Sequence, residues 1–139
     1  MRILLAIAVI CFYLTGCSES RIKLNDKFYL SAHHNNPYKI ILVNIYDDVV
    51  IADSISTFWG QYPYFWGQAY DKKKKKYYFF LFNLDTGELF TQNIGHIMKS
   101  KGLPNLNGYE QISFAEFYSS DSNVDKDRIR RFMKQMRLK

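Results

Sequence analysis

Cys17 is the residue of this chain whose position most constrains its chemistry. It follows an uncharged, mostly aliphatic stretch from Ile3 to Leu14, with the positive Met1-Arg2 before it and the small Thr15 and Gly16 after it. That stretch has the length of a secretory signal's apolar region rather than of a membrane span, and Thr15 and Gly16 are the small residues a signal peptidase needs. Other chemistry is less well provided for. His33, His34 and His96 are the three histidines, so a zinc site needs a long-range pair joined by Asp or Glu. Neighbouring His33 and His34 point to opposite faces of an extended chain, which is wrong for joint ligation. The sequence contains no His-Glu-x-x-His, no Gly-x-Ser-x-Gly and no phosphate-cradling glycine loop. Ser113 and Ser119 have no base marked out beside them, and the paired carboxylates of Asp47-Asp48 fall on an expected turn. No metal and no cofactor is expected.

Leu14-Thr15-Gly16-Cys17 resembles the lipobox of bacterial lipoprotein precursors. The resemblance implies that Cys17 is acylated through its sulfur by fatty acids such as palmitate, that the chain is cut before it, and that the new amino terminus is acylated as well. Each buried methylene adds about 0.8 kcal/mol, so one acyl chain holds weakly while two or more hold stably. Ser18 stands where an aspartate would resemble the inner-membrane retention signal of enteric-type bacteria. The implied address is the outer membrane, facing the periplasm, in a Gram-negative host, and otherwise the outer face of the plasma membrane. From Tyr77 to Phe90, where an aromatic strand meets Leu84-Asp85-Thr86-Gly87-Glu88, the chain is similar to small bacterial lipoproteins of unknown activity. That likeness carries no catalytic residue across.

The organisation expected is a signal peptide at 1–16, a lipidated tether at 17–25 and one domain at 26–139, because the mature chain is too short for two sizeable cores. Loss of Arg2 with the signal lowers the formal net charge from +6 to +5. Cys11 leaves too, and an acylated Cys17 leaves no thiol pair to bridge, so packing must hold the fold. Eleven Tyr and eleven Phe provide it, each ring burying roughly 150–250 Å². Outside the cytoplasm a basic surface meets lipid headgroups, lipopolysaccharide, cell-wall polymers and acidic proteins, so nucleic acid is not an expected partner.

The hydrophobic pattern predicts an α+β domain on an antiparallel sheet of about five or six strands, with a short helix and a C-terminal amphipathic helix. A first strand begins at Phe28-Tyr29-Leu30 and closes at the turn residues His33 to Pro37. Lys39–Tyr46 and Val49–Ala52 form a hairpin about Asp47-Asp48, and Tyr77–Leu84 and Glu88–Thr91 form another about Asp85-Thr86-Gly87. Phe58-Trp59-Gly60-Gln61 recurs as Phe65-Trp66-Gly67-Gln68. Pro63 between the copies predicts a turn or an edge there rather than a central strand. Asn93 is a candidate cap for a short helix through Ile94, Ile97 and Met98 that ends at Gly102 and Pro104, and Asn105 to Gly108 read as loop. Ile112–Tyr118 fits strand or helix. Asp125 or Asp127 caps the last helix, in which Ile129, Phe132, Met133 and Met136 fall at helical spacing.

Two clusters are candidates for binding. Trp59, Trp66, Tyr62 and Tyr64 form either an aromatic platform for a sugar or a protein anchor, or a core with its covering loop. Lys72, Lys73, Lys74, Lys75 and Lys76 form either a solvated loop guarding a sheet edge or a site for anionic headgroups. Arg128, Arg130, Arg131, Lys134, Arg137 and Lys139 read as the wet side of the last helix, with a headgroup or an acidic partner as a second role. The function expected is a non-enzymatic, membrane-anchored envelope module that binds another envelope protein or neutralises an incoming toxin. The alternatives are an envelope hydrolase or metal-dependent enzyme using His33 or His96 with a carboxylate, and a plain structural spacer. Cys17→Ser is expected to release the domain into soluble fractions or to leave uncut precursor in the membrane. Fractionation with fatty-acid labelling checks this, and normal processing with continued labelling would refute the anchor.

Overall fold

The computed structural model describes residues 20–33, 36–105 and 110–139. The expected signal, Cys17, His34 and residues 106–108 of the expected loop lie outside them. Within the described residues the chain is α+β, as the pattern predicts, with one strand more than expected. An antiparallel meander in chain order is formed by β1 (Ser20–Lys23), β2 (Phe28–His33), β3 (Asn36–Asn44), β4 (Val50–Gln61), β5 (Tyr64–Asp71), β6 (Lys76–Asn83) and β7 (Leu89–Phe90). The helices are α1 (Ile94–Ser100), α2 (Phe114–Tyr118) and α3 (Lys126–Gln135).

The extra strand comes from the segment expected to be tether. Ser20–Lys23 pairs with β2 through Ile22 opposite Leu30, and Ile22 and Leu24 are buried. Alternation of Arg21, Ile22, Lys23 and Leu24 gives this short stretch one apolar side to bury, which suffices once β2 lies beside it.

The larger correction concerns the repeat. Its two copies lie in β4 and β5, in the middle of the sheet, and pair with each other: Phe58 faces Gly67, Trp59 faces Trp66 and Gly60 faces Phe65. Pro63 does not interrupt a strand, because it falls in the tight turn between the copies, where Leu84 N–H donates to its carbonyl at 2.8 Å. Glycine opposite phenylalanine gives each ring room that a second large side chain would take. Phe58, Phe65 and Phe80, each opposite a glycine, are fully buried, and so are Trp66 and Phe82. Ring contacts run from Phe58 to Phe65 at 5.6 Å and on to Phe80 at 5.9 Å.

β4 is also longer than the expected Val49–Ala52 strand, and it is bent. Ile55 and Phe58 pair with Ala69 and Gly67, so β4 uses one residue more than β5 over this interval, which is a bulge. Ser54, just before it, has φ 55°, in the left-handed region. Bulges increase twist and bend the strand. The sheet curls on itself: Phe28 of β2 meets Phe82 of β6 edge to face, with ring centroids 4.8 Å apart, and the Asn25 side-chain amide donates to the Leu84 carbonyl at 3.1 Å.

Beyond Ile55, β4 outruns its pairing with β3. Backbone groups left open there must find partners. Ile112 supplies them, exchanging two 3.0 Å hydrogen bonds with Phe58. Ile112–Tyr118, which fitted either class, is therefore a single bridge followed by α2. Ser113 caps α2 in a reciprocal box with Glu116, and Glu116 also holds Arg128 of α3. Burial pushes the Glu116 carboxyl up, but hydrogen bonds from Ser113 and the Arg128 charge outweigh it and leave it below its ordinary value. This contribution to stability is present above the unfolded-state pKa and is lost as pH falls through the lowered folded one.

α3 starts at Asp125, not Asp127: the Asp125 side chain accepts from Arg128 N–H at 3.0 Å. Ile129, Phe132 and Met136 are buried. Phe132 meets Phe58 at 5.4 Å and Trp59 at 5.5 Å. Burying such a side chain contributes about 1.5–3 kcal/mol. α1 does follow Asn93, but that residue has φ 53° and makes no capping hydrogen bond with its side chain, so Ile94 and Met98 in the core hold the helix instead.

Candidate functional site

The tip of the β5–β6 hairpin and the bulged part of β4 enclose a cleft of about 670 Å³. Four of the five candidate lysines line it: Lys72, Lys73, Lys74 and Lys76. Tyr70 and Tyr78 form its aromatic walls, Asp53 and Ser54 come from β4, and Thr91 and Gln92 follow β7.

The local sequence explains the shape. Asp71 ends β5, and one of its carboxylate oxygens accepts the N–H of Lys73 at 2.9 Å and of Lys74 at 3.0 Å. These bonds fold the lysine run into a turn rather than letting it extend β5. The Lys74 N–H, with that of Lys73, holds the Asp71 carboxyl below its ordinary value against a smaller effect of burial. Asp71 therefore remains an acceptor well into mild acid. The ladder from Tyr70 opposite Tyr77 to Asp71 opposite Lys76 fixes the register of the tip, with the two tyrosine rings 5.0 Å apart.

Charge within the cleft is lopsided. Lys74 lies 4.0 Å from Asp71, and among the described residues no ion pair holds Lys72, Lys73, Lys75 or Lys76. Burial pushes the Tyr78 phenol up, and the Asp71 and Asp53 carboxylates add to the effect. Tyr78 is thus a neutral hydrogen-bonding wall, with no tendency toward phenolate. Ammonium groups, phenols and a hydroxyl in an open cleft recognise anionic groups by charge and hydrogen bonding.

The aromatic candidates are not part of this site. Trp59 and Trp66 are buried, 3% and 0% exposed, and no sugar or partner can stack on a ring inside a core. Trp59 Nε1 instead donates to the Gln135 side chain at 2.9 Å, tying β4 to the end of α3. Tyr64 begins β5 and Asp71 ends it, a separation of about 23 Å at 3.3 Å per residue. Tyr62 and Tyr64, both half-buried, therefore stand at the opposite end of the hairpin from the lysines. Tyr62 there hydrogen-bonds Asp85 at 2.5 Å and carries the Arg137 guanidinium over its ring. His96 is exposed on α1, and among the described residues no three metal-binding side chains gather. No helix among the described residues is long and apolar enough to cross a membrane.

Sequence reasoning found the lysines and missed Asp53, Ser54, Tyr70, Tyr78, Thr91 and Gln92. A polar Asp53-Ser54 pair interrupting the apolar run from Val49 to Ile55 was the available signal, since such a break inside a strand marks a bulge. Asp71→Ala is expected to unfasten the turn and speed amide exchange at Lys73 and Lys74. Asp71→Asn, which keeps one acceptor oxygen, should leave it near the parent rate. Residue-resolved hydrogen exchange checks both, and equal rates in all three proteins would contradict the role of Asp71.

Compared with protein-family models, curated proteins and solved structures, the chain matches none.

Proposed function

We propose that this chain is a lipid-anchored protein of the bacterial envelope that acts by binding rather than by catalysis, with the lysine cleft docking an acidic protein partner. The observation that carries the reading is the cleft itself: lysines on a hydrogen-bonded turn, held open beside two tyrosine walls and facing few compensating carboxylates. Tyrosine lends rigid amphipathic contact area, while exposed lysines steer an oppositely charged partner and raise its association rate more than its final affinity. Exposed Tyr77 and Phe79, the first 60% and the second 39% accessible on β6 beside the turn, extend the apolar contact beyond the cleft. Another envelope protein or an incoming toxin that the domain neutralises both suit a basic surface of this kind. The anchor, implied by Leu14-Thr15-Gly16-Cys17, keeps the module where such partners arrive.

A photo-crosslinking amino acid at Lys75, beside the cleft, is expected to trap one acidic protein in the native envelope. With that protein purified, Lys72→Glu/Lys73→Glu/Lys76→Glu should slow association at least about tenfold and flatten its dependence on salt. An association rate unchanged by the triple reversal, or a partner without an acidic face, would contradict the reading.

A further inference from the structure

The end of α3 departs from the usual way of closing a helix. Arg137 has φ 57°, and the N–H groups of Arg137 and Leu138 donate to the carbonyls of Lys134 at 3.2 Å and Met133 at 2.8 Å. Glycine is the ordinary residue at the Arg137 position of this ending, because a Cβ crowds the neighbouring carbonyl in left-handed backbone. An arginine kept there despite the backbone strain points to a use for its side chain.

That side chain is at a groove of about 490 Å³ between β1, α2 and the end of α3. Arg21 and Lys23 of β1 and Arg137 and Lys139 line it, Arg21 lying over the Tyr29 ring at 4.6 Å, and among the described residues the one carboxylate in the lining is Asp26, which pairs with Lys23 at 2.9 Å. Between the cations the lining is apolar, from Met133, Leu138 and Tyr118. Tyr118 is fixed there by donating its hydroxyl to the Arg21 carbonyl at 2.6 Å, with half of its ring still exposed. Charge farther along α3 is matched within the protein: Arg130 pairs with Asp127 at 2.6 Å and Arg131 with Glu110 at 2.8 Å. Positive charge thus concentrates at the helix end beside β1. Ser20, where β1 begins, is three residues from Cys17, a reach of at most about 11 Å.

We propose that this groove is the membrane-facing surface of the domain and seats the phosphate headgroups of anionic phospholipids in the bilayer that holds the anchor. The assignment rests on the lipoprotein reading above. Cations meet the phosphates, a tyrosine suits the polar boundary of a bilayer, and the apolar floor accepts the upper part of an acyl chain. The acyl anchor fixes where the protein is, and the groove fixes which way it faces. The lysine cleft, at the other end of β5 from the Tyr62 ring that carries Arg137, is then left to the protein partner.

The test uses the acylated full-length mature protein reconstituted in vesicles of phosphatidylcholine alone or with phosphatidylglycerol, read by hydrogen exchange. Amides of residues 21–26 and 133–139 should exchange at least about fivefold more slowly on the anionic vesicles, with the β5–β6 turn unchanged. Arg137→Gly/Lys23→Gln should abolish that difference while keeping the thermal midpoint of the parent, since glycine relieves the backbone at 137. Equal exchange on both vesicles, or a double variant that behaves as the parent, would overturn the groove assignment alone. An intact mass showing no acyl chain on the mature protein would remove the lipoprotein reading, and the groove assignment with it.

Discussion

The absence of a side chain at Gly67 is the constraint on which the rest of this fold depends. A Cβ there would collide with the carbonyl oxygen of Thr57 and stand 3.1 Å from Phe58 Cα. Both are backbone atoms of the neighbouring strand, so no rotamer change can make room. The close approach lets β4 take its extra residue and still return Phe58 to the face already occupied by Ile55. Phe58 then reaches both Phe65 in the sheet and Phe132 of α3. Gly60, the corresponding residue of the other copy, leaves room for Met136 of the same helix. Two glycines in a repeated tetrapeptide therefore determine how the sheet bends and where the last helix docks.

This bend ties the candidate site to the core. Asp53 and Ser54 reach the lysine hairpin because β4 is bulged next to them, and Ser54 takes left-handed backbone to do so. Bulges re-aim side chains at the margins of sheets, often beside functional surfaces. At the other end of the hairpin, the turn through Pro63 receives a hydrogen bond from Leu84 and gives one from Tyr62 to Gln135. Tyr62 there supports Arg137, so the two proposed surfaces are built on opposite ends of one strand pair.

Much of this was legible from residue order. Turn residues between apolar runs marked the β3–β4 and β6–β7 connections, and helical spacing of Ile129, Phe132 and Met136 marked α3, whereas His33, Asn36 and Pro37, expected as turn, belong to β2 and β3, whose pairing carries them. What stayed hidden depended on pairing that no single segment announces. Pro63 reads as a strand breaker until its neighbours are seen to be two halves of one hairpin. Exposed and buried tryptophans have the same local sequence, and only the register that puts Trp59 against Trp66 in mid-sheet separates the two. β1 is four residues long, and its Ile22 has a reason to be buried only once β2 is beside it. The lysines of the cleft were evident as a charge run, whereas Tyr78 and Asp53 join them through strand geometry. Arg137 was invisible as a special position because its significance lies in a backbone angle that sequence favours for glycine.

Thermodynamic comparison of two glycine substitutions tests the central constraint most directly. Gly95, on α1, has open space where a Cβ would stand, with no neighbouring atom within 4 Å, so Gly95→Ala should leave stability unchanged or raise it by up to about 1 kcal/mol through helix propensity. Gly67→Ala should cost about 1–3 kcal/mol or more, the range for forcing atoms into a packed interior, by urea unfolding with an unchanged dependence on denaturant. A loss at Gly67 smaller than about 0.5 kcal/mol, within the ordinary range for surface substitutions, would mean that β4 and β5 do not need their close approach and would contradict the account.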